Sequence, residues 1–374
     1  MKVLYLTNLP TPYRVEFFNE LGSMCDLTVL YERKTAKNRQ ASWLQNVTVS
    51  YKEVFLKGIS IGDENSLCFD VINWLSNNSY DIIVIGGYST LTGMFAISYL
   101  NFKKKPFVLN SDGGFVKLDN KLKYIVKKHF ISSAQFYLST SNTTDKYLVH
   151  YGASSKNIFR YPFTSLKNEN IRTKSLSVSE KRFLRTELNI DYEFLIVSVG
   201  QFIHRKGFDV LIKASKELSE NTGVYIIGGE PTEEYLNLVK RFNIDNVHFV
   251  NFLSKEVLEK YLLSADVFVL PTREDIWGLV INEAMSYGLP VITTDKCVAG
   301  LELIKSDING YIVNSDNVDE IANKINDLYK DRNKLLSMSN NCIDIIQNYS
   351  IEKMALEHYK IFKRIKGEID ANNI

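Results

Sequence analysis

"EFLIVSVGQFIHRKGFDVLIKASKELSE", residues 193–220, holds the reading on which the fold turns. It opens on an unbroken apolar run of strand length, "FLIVSV", and ends in a helical pattern, "GFDVLIKASKELSE". A strand with no polar alternation is apolar on both faces, as in a parallel sheet covered by helices. Working outward, the same unit recurs. Downstream come "GVYIIGGE", a helix "EEYLNLVKRFN", "VHFVNF", a helix "SKEVLEKYLLSA", "DVFVLPT", a helix "GLVINEAMSYG", "LPVITTD" and a last strand "GYIV". Upstream, the first strand reads "KVLYLTNL" (Lys2–Leu9) and ends in "PTPYR" before the helical "VEFFNELGSM". "CDLTVLYE", a helix near Phe69–Asn77, "DIIVIGGYS", a helix at Leu91–Leu100, "KPFVLNSDGG" and "AQFYLSTS" continue the alternation, and the half closes near "IFRYPF".

Two successive doubly wound α/β domains are the economical reading. The expected boundaries are 1–165 for an acceptor-side Rossmann-like domain, 166–190 for a polar linker whose end has helical character, 191–349 for a second Rossmann-like domain, and 350–374 for a C-terminal helix able to cross back. At 374 residues the chain is long enough for two cores of ordinary size. Several strands end in Gly, Asn, Ser, Asp or Thr, and open α/β sheets bind ligands beyond the carboxyl ends of their strands. Two such edges facing a cleft would bracket a substrate.

With 45% hydrophobic and 24% charged residues the composition is that of a soluble globular protein. Four scattered cysteines, Cys25, Cys68, Cys297 and Cys342, show no metal-ligand spacing and read as reduced thiols. No charged n-region with an apolar h-region opens the chain and no run nears 18 apolar residues, so neither a membrane span nor a secretory signal is expected, and the expected location is cytoplasmic. The net charge of +2 hides an asymmetry: residues 1–165 carry 19 Lys and Arg against 12 Asp and Glu, and the remainder is acidic. A basic half suggests an anionic partner, either nucleic acid or a membrane surface.

Chemistry concentrates in two pieces of the second half. In "TREDIWGLVINEAMSYGLPVI" (Thr272–Ile292), Asp275 precedes and Glu283 follows a helix start at Gly278. Backbone N–H groups of Gly278, Leu279 and Val280 would point out of that first turn, where a phosphate fits. Glu283, one turn in, is placed for sugar hydroxyls. A ligand with phosphate in the middle and hydroxylated rings at both ends, as in a nucleotide sugar, meets all three features. The plainer reading is a helix N-terminus whose dipole favours nearby acids. In the second piece, His204, Arg205, Lys206 and Gly207 fill the turn between strand and helix. Two adjacent cations there can neutralise a diphosphate, Lys as a point charge and Arg as a fork; a solvated basic turn is the alternative.

In this order the two pieces resemble the retaining glycosyltransferases of family four, which have the GT-B fold. The family pattern of a basic turn, an acidic residue, seven residues, then Glu followed by "AMA-x-G-x-P" is similar to Asp275, Glu283 and "AMSYGLPV" here. "ADVFVLPT", "INGYIV" and the opening "NLPTPYRVEFFNEL" also match, the last resembling a subgroup that makes bacterial surface polysaccharides such as capsule and lipopolysaccharide. The resemblance covers nearly the whole chain. It implies a hexosyltransferase in which Lys206 binds the donor's diphosphate, Glu283 the ribose hydroxyls and Asp275 the transferred sugar, with amides near Leu279 and Val280 on the phosphates. Three departures stand out. The family's Glu is Asp275, with Glu274 beside it; its usual Arg is Gln201, with Arg205 able to supply the charge; and its first-domain His is replaced by Asp112 in "NSDGG".

The implied chemistry is front-face departure of the diphosphate, with catalysis assigned to Asp275, Asp112, Lys206 and Arg205 and electrostatic in nature. No D-x-D occurs, so neither a metal nor any other cofactor is expected, and the donor base leans to UDP over GDP or dTDP on family grounds. Phe252 and Leu253 are candidate donor-pocket residues, and Asn8, Arg14 and Gly87 candidate acceptor residues, Arg14 for an acceptor phosphate. "KLDNKLKYIVKKHFI" (Lys117–Ile131) places Leu122, Ile125, Val126, His129 and Phe130 on one side among lysines. It reads either as a core-facing helix with a solvated basic face or as a contact with anionic lipid, which would make the acceptor lipid-linked and the enzyme peripheral to the inner leaflet. Nucleic acid is disfavoured because no groove-reading motif or stacking platform accompanies the lysines. Alternatives are a nucleotide-sugar epimerase, a sugar phosphorylase, or a non-catalytic nucleotide-sugar- or glycan-binding assembly partner. A nicotinamide dehydrogenase lacks its G-x-G-x-x-G after the first strand. The C-terminal stripe Ile351, Met354, Ala355, Phe362 and Ile365 is expected to pack on the protein with His358 as a packed or surface residue.

Overall fold

The computed structural model describes residues 1–34, 49–61 and 65–372. They form two units: residues 1–165 with 350–374, and residues 166–349. Each is built on its own parallel sheet flanked by helices, so the expected pair of Rossmann-like domains is present.

In the first unit the strands are β1 (Lys2–Thr7), β2 (Asp26–Tyr31), β3 (Lys52–Phe55), β6 (Ile82–Ile85), β7 (Val108–Ser111), β8 (Phe136–Ser139) and β9 (Ile158–Arg160), in the order β3-β2-β1-β6-β7-β8-β9. A short antiparallel pair, β4 (Ile59–Ile61) with β5 (Asn65–Leu67), is set apart. Leu4, Leu6, Ile83, Ile85 and Leu109 are buried together with Ile97 and Leu100, which explains the unbroken apolar runs. Helix α1 (Pro12–Gly22) begins at Pro12 rather than at Val15, correcting the expected start. The reason is local: proline at the first helical position lacks only an N–H that has no intrahelical partner, and its φ is already helical. The last helix, α14 (Ile351–Asn372), belongs to this unit although it follows the second one in sequence. Its stripe Ile351, Met354, Ala355, Phe362 and Ile365 is fully buried. His358 packs 4.6 Å from the Phe17 ring of α1, and Lys366 donates to Asp81 at 2.7 Å.

The second unit has β10 (Phe194–Val199), β11 (Thr222–Ile227), β12 (Val247–Val250), β13 (Val267–Leu270), β14 (Val291–Thr294) and β15 (Gly310–Val313), in the order β12-β11-β10-β13-β14-β15. The core joins Ile196, Val224, Ile226, Val267, Val269 and Ile292 to Leu211 and Ile325. The polar stretch expected as a linker carries helix α6 (Val178–Glu187), opened by a reciprocal cap in which Ser177 and Glu180 each bind the other's backbone N–H. Arg185 of α6 is buried and donates to the Ser264 carbonyl, to Glu193 O and to Asp266 Oδ2, the last at 2.6 Å. Buried charges need such partners, and they fasten α6 to this unit.

Both sheets reverse their winding next to their first strand, between β1 and β6 and between β10 and β13. Loops leaving two such strands diverge to opposite sides, and the gap between them is where an α/β sheet takes a ligand.

Candidate functional site

The second unit's reversal point is occupied by charge. After β10 the chain runs through Gly200 and Gln201 into a single 3-10 turn, His204–Lys206, then helix α7 (Phe208–Ala214). Gly207 joins them at φ 69°, and a Cβ there would lie 2.0 Å from the Pro271 carbonyl oxygen just past β13. Only glycine allows so close an approach, which fastens the basic turn to the loop of residues 271–278. Arg273 completes the fastening. It forms a fork with Asp209 of α7 at 2.8 Å for both bonds, and donates to the His204 carbonyl at 2.7 Å and to Asp316 at 2.7 Å. These bonds hold the Arg273 charge even more firmly than an ordinary arginine's.

The result is a close ion cluster. Lys206 Nζ donates to Asp275 Oδ2 at 2.6 Å, with both side chains largely buried. Arg205 lies 3.3 Å from the other carboxylate oxygen and donates to the Glu274 carbonyl at 2.7 Å. Asp275 is held from below as well: its N–H donates to Lys296 O at 2.8 Å, and its carbonyl accepts from Val298 N–H. Two cations thus converge on one carboxylate. An anionic ligand entering this crevice can engage cations that already sit in position.

Beyond Asp275, Gly278 takes φ 100° at the start of helix α10 (Leu279–Ser286), with a built Cβ only 2.9 Å from the Cys297 sulfur. The helix has no side-chain cap, and its third residue, Ile281, donates to the Gly278 carbonyl. The amides of Leu279 and Val280 belong to the first turn, which has no intrahelical acceptor for them. Cys297 is no nucleophile: burial pushes its thiol up to about 12, and its sulfur donates to the Trp277 carbonyl. Trp277 Nε1 donates to Asn282 at 2.9 Å, fixing the helix start from inside. Glu283 lies half-buried four residues past Leu279, about 6 Å along the axis. On the other side of β10, the Phe252 ring covers Gly229 and is 63% exposed, beside half-buried Leu253. Gln201 is exposed, and Lys206 passes 3.3 Å from a Cβ built on Gly200.

In the first unit the strand ends gather a second polar cluster. Asp112, after β7, pairs with Arg14 of α1 and accepts from Asn110 Nδ2 at 2.9 Å and Tyr161 Oη at 3.0 Å. Arg14 is buried, so its charge is spent on Asp112 rather than presented to solvent. Burial holds the Tyr161 hydroxyl protonated well above its usual range, with Asp112 adding to the effect, so it stays a donor. Asn8 is exposed at the end of β1, and Gly87, after β6, has open space where a side chain would be. His358 lies beneath, 4.3 Å from the Tyr161 ring, neutral because burial pushes it down to about 4.

The structure thus brings Arg205, Lys206, Asp275 and the carbonyl of Glu274 together, and separately Arg14 and Asp112. Residues without a sequence signal complete both clusters: the Arg273–Asp209 fork, Trp277–Asn282, Asn110 and Tyr161. Arg273 and Asp209 are 64 residues apart, and nothing in a single sequence pairs them.

Residues 180–344 match the family described as Glycosyl transferases group 1. An uncharacterized glycosyltransferase of Methanocaldococcus jannaschii is 32% identical over 196 residues, covering 50% of each chain. An uncharacterized 41.2 kDa protein in the cps region of Klebsiella pneumoniae is 25% identical over 278 residues, 71% of this chain and 74% of that one. The chain spans about half the length of the first curated relatives it matches. Among solved structures, Anabaena HepE in complex with UDP and glucose superposes with a TM-score of 0.74 at 17% identity, covering 99% of this chain and 100% of that one. At that identity the likeness is one of fold. The glycosyltransferase family match covers residues 180–344, less than half of the chain, and the likeness over the whole chain is to the two-domain fold.

Proposed function

We propose that this chain is a retaining glycosyltransferase that moves a sugar from a nucleotide sugar, UDP-linked in preference to GDP- or dTDP-linked, to a hydroxyl of a glycan or lipid-linked acceptor. The observation that carries the reading is the convergence of Lys206 and Arg205 on Asp275 at the reversal point of the second sheet, beside an uncapped helix start. The family match falls on the same residues. HepE is a fold relative with UDP and glucose bound, and the Klebsiella relative lies in a cps region, which supports the UDP lean and a place in surface-polysaccharide synthesis; the cytoplasmic face is the location proposed for it.

Each group has a physical task. Bond breaking at the sugar's anomeric carbon leaves negative charge on the diphosphate, and Lys206, Arg205 and the Leu279 and Val280 amides stabilise it in place. Asp275 then faces the sugar. No covalent glycosyl–enzyme is invoked: the acceptor oxygen bonds the anomeric carbon on the face the diphosphate leaves, and the acceptor proton passes to the departing diphosphate. Glu283 accepts from ribose hydroxyls, and Phe252 and Leu253 flank the base. In the first unit Asp112, held by Arg14, Asn110 and Tyr161, orients sugar or acceptor hydroxyls.

A thermal-shift series with UDP-, GDP- and dTDP-sugars tests the reading. A base-selective rise in melting temperature, lost in Glu283→Ala, is expected. No rise with any of them removes the donor site.

A further inference from the structure

Helix α4 (Lys121–Ser132) leaves much of its apolar surface facing away from the unit it packs on. Its body-facing residues are Tyr124, Lys127, Phe130 and Ile131; Tyr124 and Phe130 pack half-buried on the core and only Ile131 is fully buried. Tyr124 meets the Tyr151 ring at 5.6 Å, and Lys127 bonds Asp119 at 2.7 Å and Tyr151 Oη at 3.2 Å. The remaining apolar residues point out. Leu118, Leu122, Ile125 and Val126 are 108, 73, 51 and 38% exposed, spaced as one stripe along the helix and its approach. Of the side expected to face either the core or lipid, Phe130 packs on the core, while Leu122, Ile125, Val126 and His129 are exposed.

Charge says what covers the stripe. Lys117, Lys121, Lys123 and Lys128 are all exposed around it. Between residues 117 and 132 the one acid is Asp119, and its side chain is only 3% exposed, drawn in under Lys127 and Tyr151. An outward surface of aliphatic side chains ringed by lysines, with its carboxylate turned inward, complements a bilayer whose acyl region accepts the stripe and whose anionic headgroups accept the lysines. Patches of this kind on a soluble surface mark a contact site. We propose that α4, with Leu118, is a preformed docking surface for anionic lipid, inserting Leu122 and Ile125 at the headgroup boundary. The helix is already fixed by the Asp119–Lys127–Tyr151 contacts, so lipid finds the surface built. The inference goes beyond sugar transfer, because lipid binding requires neither donor nor acceptor.

Co-sedimentation of the full chain with phosphatidylglycerol–phosphatidylcholine vesicles tests it, against vesicles of phosphatidylcholine alone. Binding is expected only with the anionic lipid, weakened by salt, and lowered at least tenfold in the double variant Leu122→Ser/Ile125→Ser. Ile125→Trp is expected to show a blue-shifted emission on adding anionic vesicles. Unchanged melting temperature and an unchanged response to UDP-sugars in the double variant separate lost docking from lost folding and from failure of the donor site. Equal vesicle binding by wild type and double variant, or none by wild type, overturns the proposal. So does a concentration-dependent dimer that the double variant abolishes, which would make a second copy the occupant.

Discussion

At the scale of single residues, the second unit's site is a carboxylate flanked by two cations, Lys206 and Arg205, which the proposed function assigns to a diphosphate. Lys206 and Asp275 play different parts in that reading, and variants separate them. Lys206→Ala is expected to weaken both free UDP and UDP-sugar and to lower kcat about 10²–10³-fold, the cost of removing one preorganised charge-stabilising group. Asp275→Asn is expected to leave free UDP binding intact while kcat falls, because the proposed function has it face the sugar. Equal losses for UDP and UDP-sugar in Asp275→Asn would reduce Asp275 to a support for Lys206. Gly207→Ala tests the turn that places both cations. With φ at 69° and the Pro271 oxygen 2.0 Å from a built Cβ, the backbone must shift. A loss of about 2 kcal/mol or more in urea unfolding is expected, together with weakened UDP binding.

At the scale of elements, α6 is fastened to the second unit by buried charged side chains. Arg185 of α6 ties that helix to Ser264 O, Glu193 O and Asp266. Its removal leaves the buried Asp266 carboxylate with the Leu195 N–H at 2.8 Å and, as its nearest remaining cation, Lys181 at 3.7 Å. Burial works first against the Lys181 charge, lowering its pKa, so it is a poor substitute for the lost arginine. Arg185→Ala is expected to cost about 3–5 kcal/mol, read as a drop in denaturation midpoint, the usual result of leaving one member of a buried pair. A change under about 1 kcal/mol would mean the charges are solvated after all.

At the scale of the whole molecule, the chain leaves its first unit at residue 165 and returns to it at residue 350. The return helix brings His358 into the first unit's core, 1% exposed between Phe17 and Tyr161. Burial depresses its pKa from 6.5 to about 4, so the unfolded chain binds the proton more readily than the folded one. Stability from this group is therefore present above about pH 6.5 and is lost as pH falls toward 4, by about 3 kcal/mol in all. His358→Phe is expected to flatten the stability profile across that window, read by urea denaturation at pH 7, 5.5 and 4. An unchanged slope would place the acid sensitivity in other groups.

Sequence alone determined the layer architecture, because strands covered on both faces must be apolar throughout, as "FLIVSV" and "VFVL" are. It also marked the basic turn and the Asp275–Glu283 spacing, since a short loop and one helix turn fix which groups lie near each other. Tertiary structure decided what those groups touch. The salt bridge between Lys206 and Asp275 joins residues 69 apart, and the pairing of Arg14 with Asp112 joins residues 98 apart. Both pairings follow from strand order, β10 lying beside β13 and β1 one strand away from β7 across β6, and periodicity carries no information about strand order. The same holds for α4: its sequence shows an apolar side and a basic side, but which one faces the protein depends on Asp119, Tyr151 and Lys127 meeting beneath it. Local pattern records how a segment divides its surface; only packing against distant residues decides which part of that surface is left for a ligand.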